Sequence, residues 1–506
     1  MSDQQLTLHA LLDAAAAAAP RGTAVCDQEE SWSYARLARL SHAFGGWLTE
    51  RGVAAGDRVL IQCPNRREMA AMLFGCSRVG AIFVPVNPGM KPYHLRSVLA
   101  NCEPRIVLVD YGKGAAVREL TAAPVHELCG VWPDVETGAA ACTGTGEVSG
   151  DDVAVLIYTS GSTAAPKAII CPQAQMVFAA TAIASVLRYR HDDIIFCRLP
   201  LSFDYGLYQF LLACLARAEV FVAGGEPDAT LLRQVRRCQA TVVPVVPSMA
   251  SMLTRLAERD PGPSNVRLFT NTGAALPQAS IAALRTAFPG ARVVRMFGIS
   301  ECKRVAIMAP EAELDRPESV GLPLPGTEVS IVGDGGQPLP AGQVGEIVVR
   351  GPHVMAGYWR APEVTARTFR RDDRTGQVSL HTGDYGRLDC DGYLYFAGRR
   401  DDMFKHRGAR VSTIEIEAAA LDIAGVRDAV VVPPADGGEL VIYVVTVLAP
   451  HAVLRELAAR LEAAKVPSRC QVLDQLPLTL NGKNERKELS ALLTGPAGAL
   501  ATGPTP

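Results

Sequence analysis

The residues most suited to chemistry sit in a short stretch that follows an apolar run at 153–157. Thr159, Ser160, Gly161, Ser162 and Thr163 lead through Ala164, Ala165 and Pro166 to Lys167 and Ala168. A loop of small, hydroxylated residues after a strand leaves backbone N–H groups free to surround phosphate oxygens. The hydroxyls add donors and Lys167 adds positive charge. The spacing is not that of the G-x-x-x-x-G-K-[ST] loop, which excludes that type of nucleotide hydrolase. A polar surface turn is the plain alternative.

Other groups of reactive side chains follow in order. Phe297, Gly298, Ile299, Ser300 and Glu301 place an aromatic, a hydroxyl and a carboxylate close together. His381, Thr382, Gly383 and Asp384 precede a Gly398, Arg399, Arg400, Asp401, Asp402 run, with Lys405, Gly408 and Arg410 beyond it. Near the end stand Leu476, Pro477, Leu478, Thr479, Leu480, Asn481, Gly482 and Lys483, then Arg486 and Leu489. Each alone reads as a turn, a salt-bridged loop or a helix start. Their order and spacing together are specific.

In that order and spacing the chain resembles the adenylate-forming superfamily of acyl-CoA and aryl-CoA ligases, peptide-synthetase adenylation domains and luciferases. The resemblance spans residues 8–492. It implies that Thr159, Ser160, Gly161, Ser162, Thr163 and Lys167 hold the phosphates of ATP. It also implies that Phe297 lies against the adenine, Ser300 touches phosphate and Glu301 helps hold Mg²⁺. Asp384 and Arg399 are the implied ribose ligands, Asp401 the hinge of a small mobile domain, and Lys483 the catalytic lysine of adenylation. The family loop carries Gly where this chain has Ala164 and Ala168, and Thr where it has Ser300. A position needing φ > 0 would be strained by alanine by about 1 kcal/mol or more. A non-catalytic nucleotide-binding relative is the reading that such strain would favour.

The resemblance implies two half-reactions: attack of a carboxylate on ATP with loss of pyrophosphate, then capture of the acyl-adenylate by a thiol. No carrier segment is recognisable after residue 492, so the expected thiol is CoA or the phosphopantetheine of a separate carrier protein. Phe203-Asp204 resembles the signature of amino-acid-activating members, whose aspartate meets the substrate ammonium. A buried carboxylate in an acid pocket is costly unless a cation meets it. Asp204 as the N-cap of a helix over 205–216 is the competing reading. Lys303 and Arg304, just past Glu301, are placed to grip a second carboxylate of an aspartate-like acid, or else form a solvated loop or a pair held by structural carboxylates. Gly273 and Ala274 match the family's pocket wall. Stand-alone enzymes that activate β-amino acids for macrolactam pathways resemble this layout. An acyl- or aryl-CoA ligase is the alternative.

These groups need a scaffold, and the pattern describes an α/β one. Helical periodicity at 36–51, 69–78 and 95–101 alternates with apolar strands at 58–63, 81–86 and 105–109, which argues for parallel sheets flanked by helices. Residues 124–150, rich in Gly, Thr and Ala, read as a connecting loop. From about 328 short strands and turns (328–332, 345–349, 392–396) suggest a β-rich subdomain. The last unit combines helices at 414–421 and 454–463 with strands at 429–432 and 440–446. The expected division is a large N-terminal domain over 1–399, a small mobile α+β domain over 400–494 and a disordered tail over 495–506.

Composition bounds the rest. Fifty Lys plus Arg against 52 Asp plus Glu leave a net charge of −2, which excludes a strongly basic nucleic-acid or membrane binder. The N-terminus lacks a secretory pattern, and no apolar run is long enough to span a bilayer. Thirteen cysteines without a C-x-x-C pair read as reduced thiols of a cytoplasmic protein.

Overall fold

The computed structural model describes residues 6–138, 147–159, 167–310, 312, 314–399, 403–406, 409–433, 439–461, 463, 465–477 and 489. The Val-, Ile- and Leu-rich segments form two large sheets whose strands are mostly parallel. One sheet has six strands. Val125–Glu127, Ile106–Val109, Arg58–Gln62 and Ile82–Pro85 lead to β1 (Val153–Thr159) and, antiparallel at the edge, β2 (Lys167–Pro172). The helix α1 (Asp204–Ala216) lies in the second unit, a nine-stranded sheet containing β3 (Leu268–Asn271) and β4 (Arg292–Phe297). Near-continuous burial along the strands, as in Val242–Val245 and Leu268–Asn271, is what a sheet covered on both faces requires.

An antiparallel five-stranded sheet follows, with β5 (Val378–Leu388) paired to β6 (Leu394–Arg399). A hairpin, Met403–His406 with Ala409–Ser412, precedes a three-stranded sheet of Val426–Val432, Val441–Thr446 and Arg469–Val472. That sheet has apolar clusters of its own, built around Val431, Ile442 and Val444 on one side and Tyr443 and Leu489 on the other.

One expectation is corrected. Residues 124–150 are not a plain loop: Val125–Glu127 adds an edge strand and Leu128–Thr137 is a helix. Leu128, Val131, Trp132 and Val135 recur at helical spacing and are buried, and Trp132 stacks on Trp32 at 5.6 Å. Gly130 and Pro133 inside the helix mask that period in the sequence. The 454–463 helix is also shifted, running over Pro450–Ala458 with proline in its first turn, where its missing N–H costs nothing. The predicted tail at 495–506 lies outside the described residues.

A buried and a half-buried imidazole, His353 and His9, make stability depend on pH. Burial, with help from the Arg78 charge, pushes His9 down to about 4, and burial pushes His353 down to about 4. The unfolded chain takes up these protons near pH 6.5, whereas the folded one resists until about 4. Stability is therefore full above 6.5 and falls as pH drops from 6.5 towards 4, by up to about 1.4 kcal/mol per pH unit for each ring. Melting curves across this window are expected to show a flatter pH dependence for His353→Gln than for the native chain. An unchanged slope would show that other groups carry it.

Candidate active site

The base of the candidate phosphate loop is closed by the sheet. Thr159 ends β1 and Lys167 opens β2, and the two are direct partners in the ladder. Tyr158 donates to Asn101 Oδ1 at 2.7 Å. The other edge of β2 is held by an outside segment: Ile170 N–H donates to Gly357 O, and Trp359 N–H to Ala168 O. Ala168 lies within β2 opposite Tyr158 and is not among the positive-φ residues, so alanine is unstrained there. Ser160, Gly161, Ser162, Thr163 and Ala164 lie outside the described residues.

β4 delivers Phe297 to the end of the large sheet, where its ring stacks on Phe396 of β6 at 4.8 Å. The chain then turns back sharply. A Cβ on Gly298 would meet Lys303 O at 2.2 Å, so only glycine allows this approach. Lys303 takes φ +68, an uncommon conformation for a side-chain-bearing residue. This fold-back leaves Ser300 and Glu301 half-buried at the rim and sends Lys303 and Arg304 into the interior. Glu301 is fixed twice: Tyr358 donates its phenol proton to Oε1 at 2.6 Å, and Met355 N–H donates to Glu301 O at 2.9 Å. The Lys167 ammonium lies 5.9 Å from the centre of the Tyr358 ring. Tyr358 thus joins Lys167 to Glu301.

Asp384 and Arg399 come together across the β5–β6 ladder, with Arg399 Nε 3.2 Å from Asp384 Oδ1. Asp384 is buried while the Arg399 side chain is largely exposed. Asp401 and Lys483 lie outside the described residues.

The acid-pocket candidates converge on α1. Asp204 is not its cap: Phe203 holds the N-cap position without a capping bond, and Asp204 begins the first turn. Its carboxylate is 3% exposed and has Arg304 Nη1 at 3.9 Å, an ion pair too long for a hydrogen bond. Arg304 also donates to Lys303 O at 2.6 Å and lies over the Tyr205 ring. Lys303 is 1% exposed, and its ammonium donates to Cys171 Sγ at 3.2 Å. The Phe203 ring abuts Gly273, which has φ +84, and Ala274 is half-buried beside it. The sequence-based alternative of a solvated Lys303-Arg304 loop is thereby corrected: both side chains are buried. Sequence reasoning missed Cys171, Tyr208 and Tyr358, which belong to no motif. Only the i, i+4 spacing of Asp204 and Tyr208 on one helix signals any of them.

Such a scaffold and set of side chains define an adenylate-forming ligase. The chain belongs to the AMP-binding enzyme family, whose profile matches residues 12–359, with the family's C-terminal domain matching 415–483. Among curated relatives, the sulfoacetate–CoA ligase of Cupriavidus necator is 31% identical over 92% of this chain and 93% of its own length. CymA of Salinispora arenicola, described as a probable nonribosomal peptide synthetase, is 30% identical over 95% of this chain, which spans 6% of that protein. Among solved structures, VinN is 51% identical, with TM-score 0.74 over 78% of this chain and 98% of VinN. VinN has also been solved with L-aspartate and with 3-methylaspartate.

The family is ATP-dependent and implies Mg²⁺. Among the described residues no three His, Cys, Asp or Glu side chains group to cage an ion. A single oriented carboxylate, Glu301, fits Mg²⁺, which takes one or two protein carboxylates and fills its shell with phosphate and water oxygens. Tyr358→Phe is expected to weaken Mg²⁺ binding about tenfold or more, the scale of losing an outer-sphere partner. Mn²⁺ titration by electron paramagnetic resonance with ATP present checks this, and unchanged affinity would leave Tyr358 a purely structural residue. None of the described helices is long and apolar enough to cross a membrane.

Proposed function

We propose that the enzyme activates an amino dicarboxylic acid of the aspartate type, with the amine at the α or β position, as its acyl-adenylate. It then passes the acyl group to the phosphopantetheine thiol of a separate carrier protein. The observation that carries this reading is the buried set Asp204, Lys303 and Arg304, in which Arg304 pairs loosely with Asp204 and Lys303 has no carboxylate partner among the described residues. The set has a net charge of +1 before substrate enters. An acid with one ammonium and two carboxylates gives Asp204 a cation and the two buried cations an anion, and keeps one carboxylate free to react. The ammonium takes Asp204, whose link to Arg304 is long enough to leave it acceptor capacity. The second carboxylate takes Lys303 and Arg304, and the reacting carboxylate is left towards Glu301. The complexes of VinN with L-aspartate and 3-methylaspartate support the same class of acid. The two anionic ends of sulfoacetate, named for the Cupriavidus relative, fit such a cationic pair as well.

In the first half-reaction the acid's carboxylate attacks the α-phosphorus and pyrophosphate departs. Mg²⁺, when bound, neutralises charge on the phosphate oxygens. Lys167 and the hydroxyls of residues 159–163 hold the phosphates, Asp384 and Arg399 orient the ribose, and Lys483 stabilises the charge that develops on the transferring group. The unit over 400–494 then turns about Asp401 to admit the thiol. A CoA ligase is the second reading, favoured by the full-length match to the sulfoacetate–CoA ligase.

The two readings differ in product. With ATP, Mg²⁺ and L-aspartate, intact-mass measurement is expected to show aspartyl transfer to a phosphopantetheinylated carrier protein and little aspartyl-CoA. Efficient aspartyl-CoA formation with an unloaded carrier would move the assignment to a CoA ligase.

A further inference from the structure

We propose that Cys171 is a specificity-determining residue of the acid site: it offers Lys303 a weak acceptor in place of a carboxylate, and so reserves the buried ammonium for the substrate's second carboxylate. The inference deepens the amino dicarboxylate reading and rests on it.

A lysine that is 1% exposed ordinarily has a carboxylate partner, because an ammonium removed from water without one is strongly destabilised. Lys303 has no such partner among the described residues. Its ammonium donates to Cys171 Sγ at 3.2 Å and lies 5.9 Å from the centre of the Tyr208 ring. A thiol sulfur is a weak acceptor. The thiol proton points elsewhere, donating to Ile169 O at 3.6 Å, which leaves a sulfur lone pair for Lys303. Burial raises the thiol's pKa against the pull of Lys303, so Cys171 stays neutral and supplies no counter-charge.

A second observation points to an anionic ligand for the same region. The Tyr208 hydroxyl is buried and has no hydrogen-bond partner among the described residues. Tyr208 stands one turn beyond Asp204 on the same face of α1, and the Lys303 ammonium that reaches Cys171 lies against the Tyr208 ring. An ammonium and a phenol O–H, both short of acceptors, are complementary to one carboxylate.

The strand position explains how the sequence achieves this. Cys171 is near the end of β2, the same strand that begins with Lys167. One short strand thus carries a phosphate-side cation at its start and a selectivity residue at its end.

The test supplies Lys303 with an internal counter-ion and reads the preference between acids. ATP–pyrophosphate exchange is measured for native enzyme, Cys171→Asp and Cys171→Ser with L-aspartate, β-alanine and L-alanine. In Cys171→Asp, kcat/KM for L-aspartate is expected to fall by about 10–150-fold, the range for a charge-assisted hydrogen bond. The monocarboxylic acids should hold or gain and the KM for ATP should stay unchanged, so the ratio between acid classes falls at least about tenfold. Cys171→Ser, with a stronger acceptor of similar size, is expected to lower the same ratio about threefold, and it decides the matter if the aspartate variant does not fold. An unchanged ratio in the folded variants, or equal losses for all acids, would overturn the inference while leaving the substrate reading intact. Absence of L-aspartate-driven exchange in the native enzyme would overturn the substrate reading and this inference with it.

Discussion

Lys483→Ala is expected to slow acyl-adenylate formation by about 10²–10³-fold, the scale of losing one strong charge stabiliser at a phosphoryl-transfer site. The loss should be confined to the first half-reaction. Lys483 belongs to the unit over 400–494, which is proposed to present one face for adenylation and another for thiol transfer. Thiol capture of a chemically supplied aspartyl-adenylate should therefore proceed at nearly the native rate. Single-turnover measurements of each half-reaction separate the two. Comparable losses in both would contradict rotation about Asp401, because they would place Lys483 at the reacting centre throughout.

Asp204→Asn should cost acids that carry an amine roughly 10–150-fold in kcat/KM, since the amide cannot balance a buried ammonium. Asparagine keeps the shape of the side chain and leaves Arg304 its packing over Tyr205. Succinate, the desamino partner of aspartate, should be spared or improved, because the variant pocket has one uncompensated anion fewer. A helix-capping role would give a different pattern, a loss of about 1 kcal/mol in stability and similar losses for both acids. The geometry already disfavours that pattern, since Phe203 occupies the cap. Equal losses for aspartate and succinate would remove the ammonium from the account.

Much of the scaffold was legible in the sequence because apolar runs and helical periods repeat cleanly up to residue 109. The segment at 124–150 was not, because Gly130 and Pro133 interrupt a helix whose stability comes from tertiary contacts such as the Trp32–Trp132 stack. The motif residues were legible as types and spacings. Their pairing was less so: that Asp384 meets Arg399 follows from the register of two antiparallel strands. Cys171 carried no signal and Tyr208 only its i, i+4 spacing from Asp204, since a cysteine in an apolar strand and a tyrosine in an apolar helix look like core. Their significance arises only once the Gly298 fold-back carries Lys303 into contact with them. Tyr358 is similar, acquiring its role from its bond to Glu301 57 positions away in the chain.

One buried site is proposed to read an ammonium and a second carboxylate on the same acid. The most direct measurement is kcat/KM for ATP–pyrophosphate exchange by the native enzyme with L-aspartate, succinate, β-alanine and benzoate. L-aspartate is expected to exceed each of the others by at least about tenfold, since each lacks at least one charge partner for Asp204 or for Lys303 and Arg304. Benzoate or succinate matching L-aspartate would contradict it.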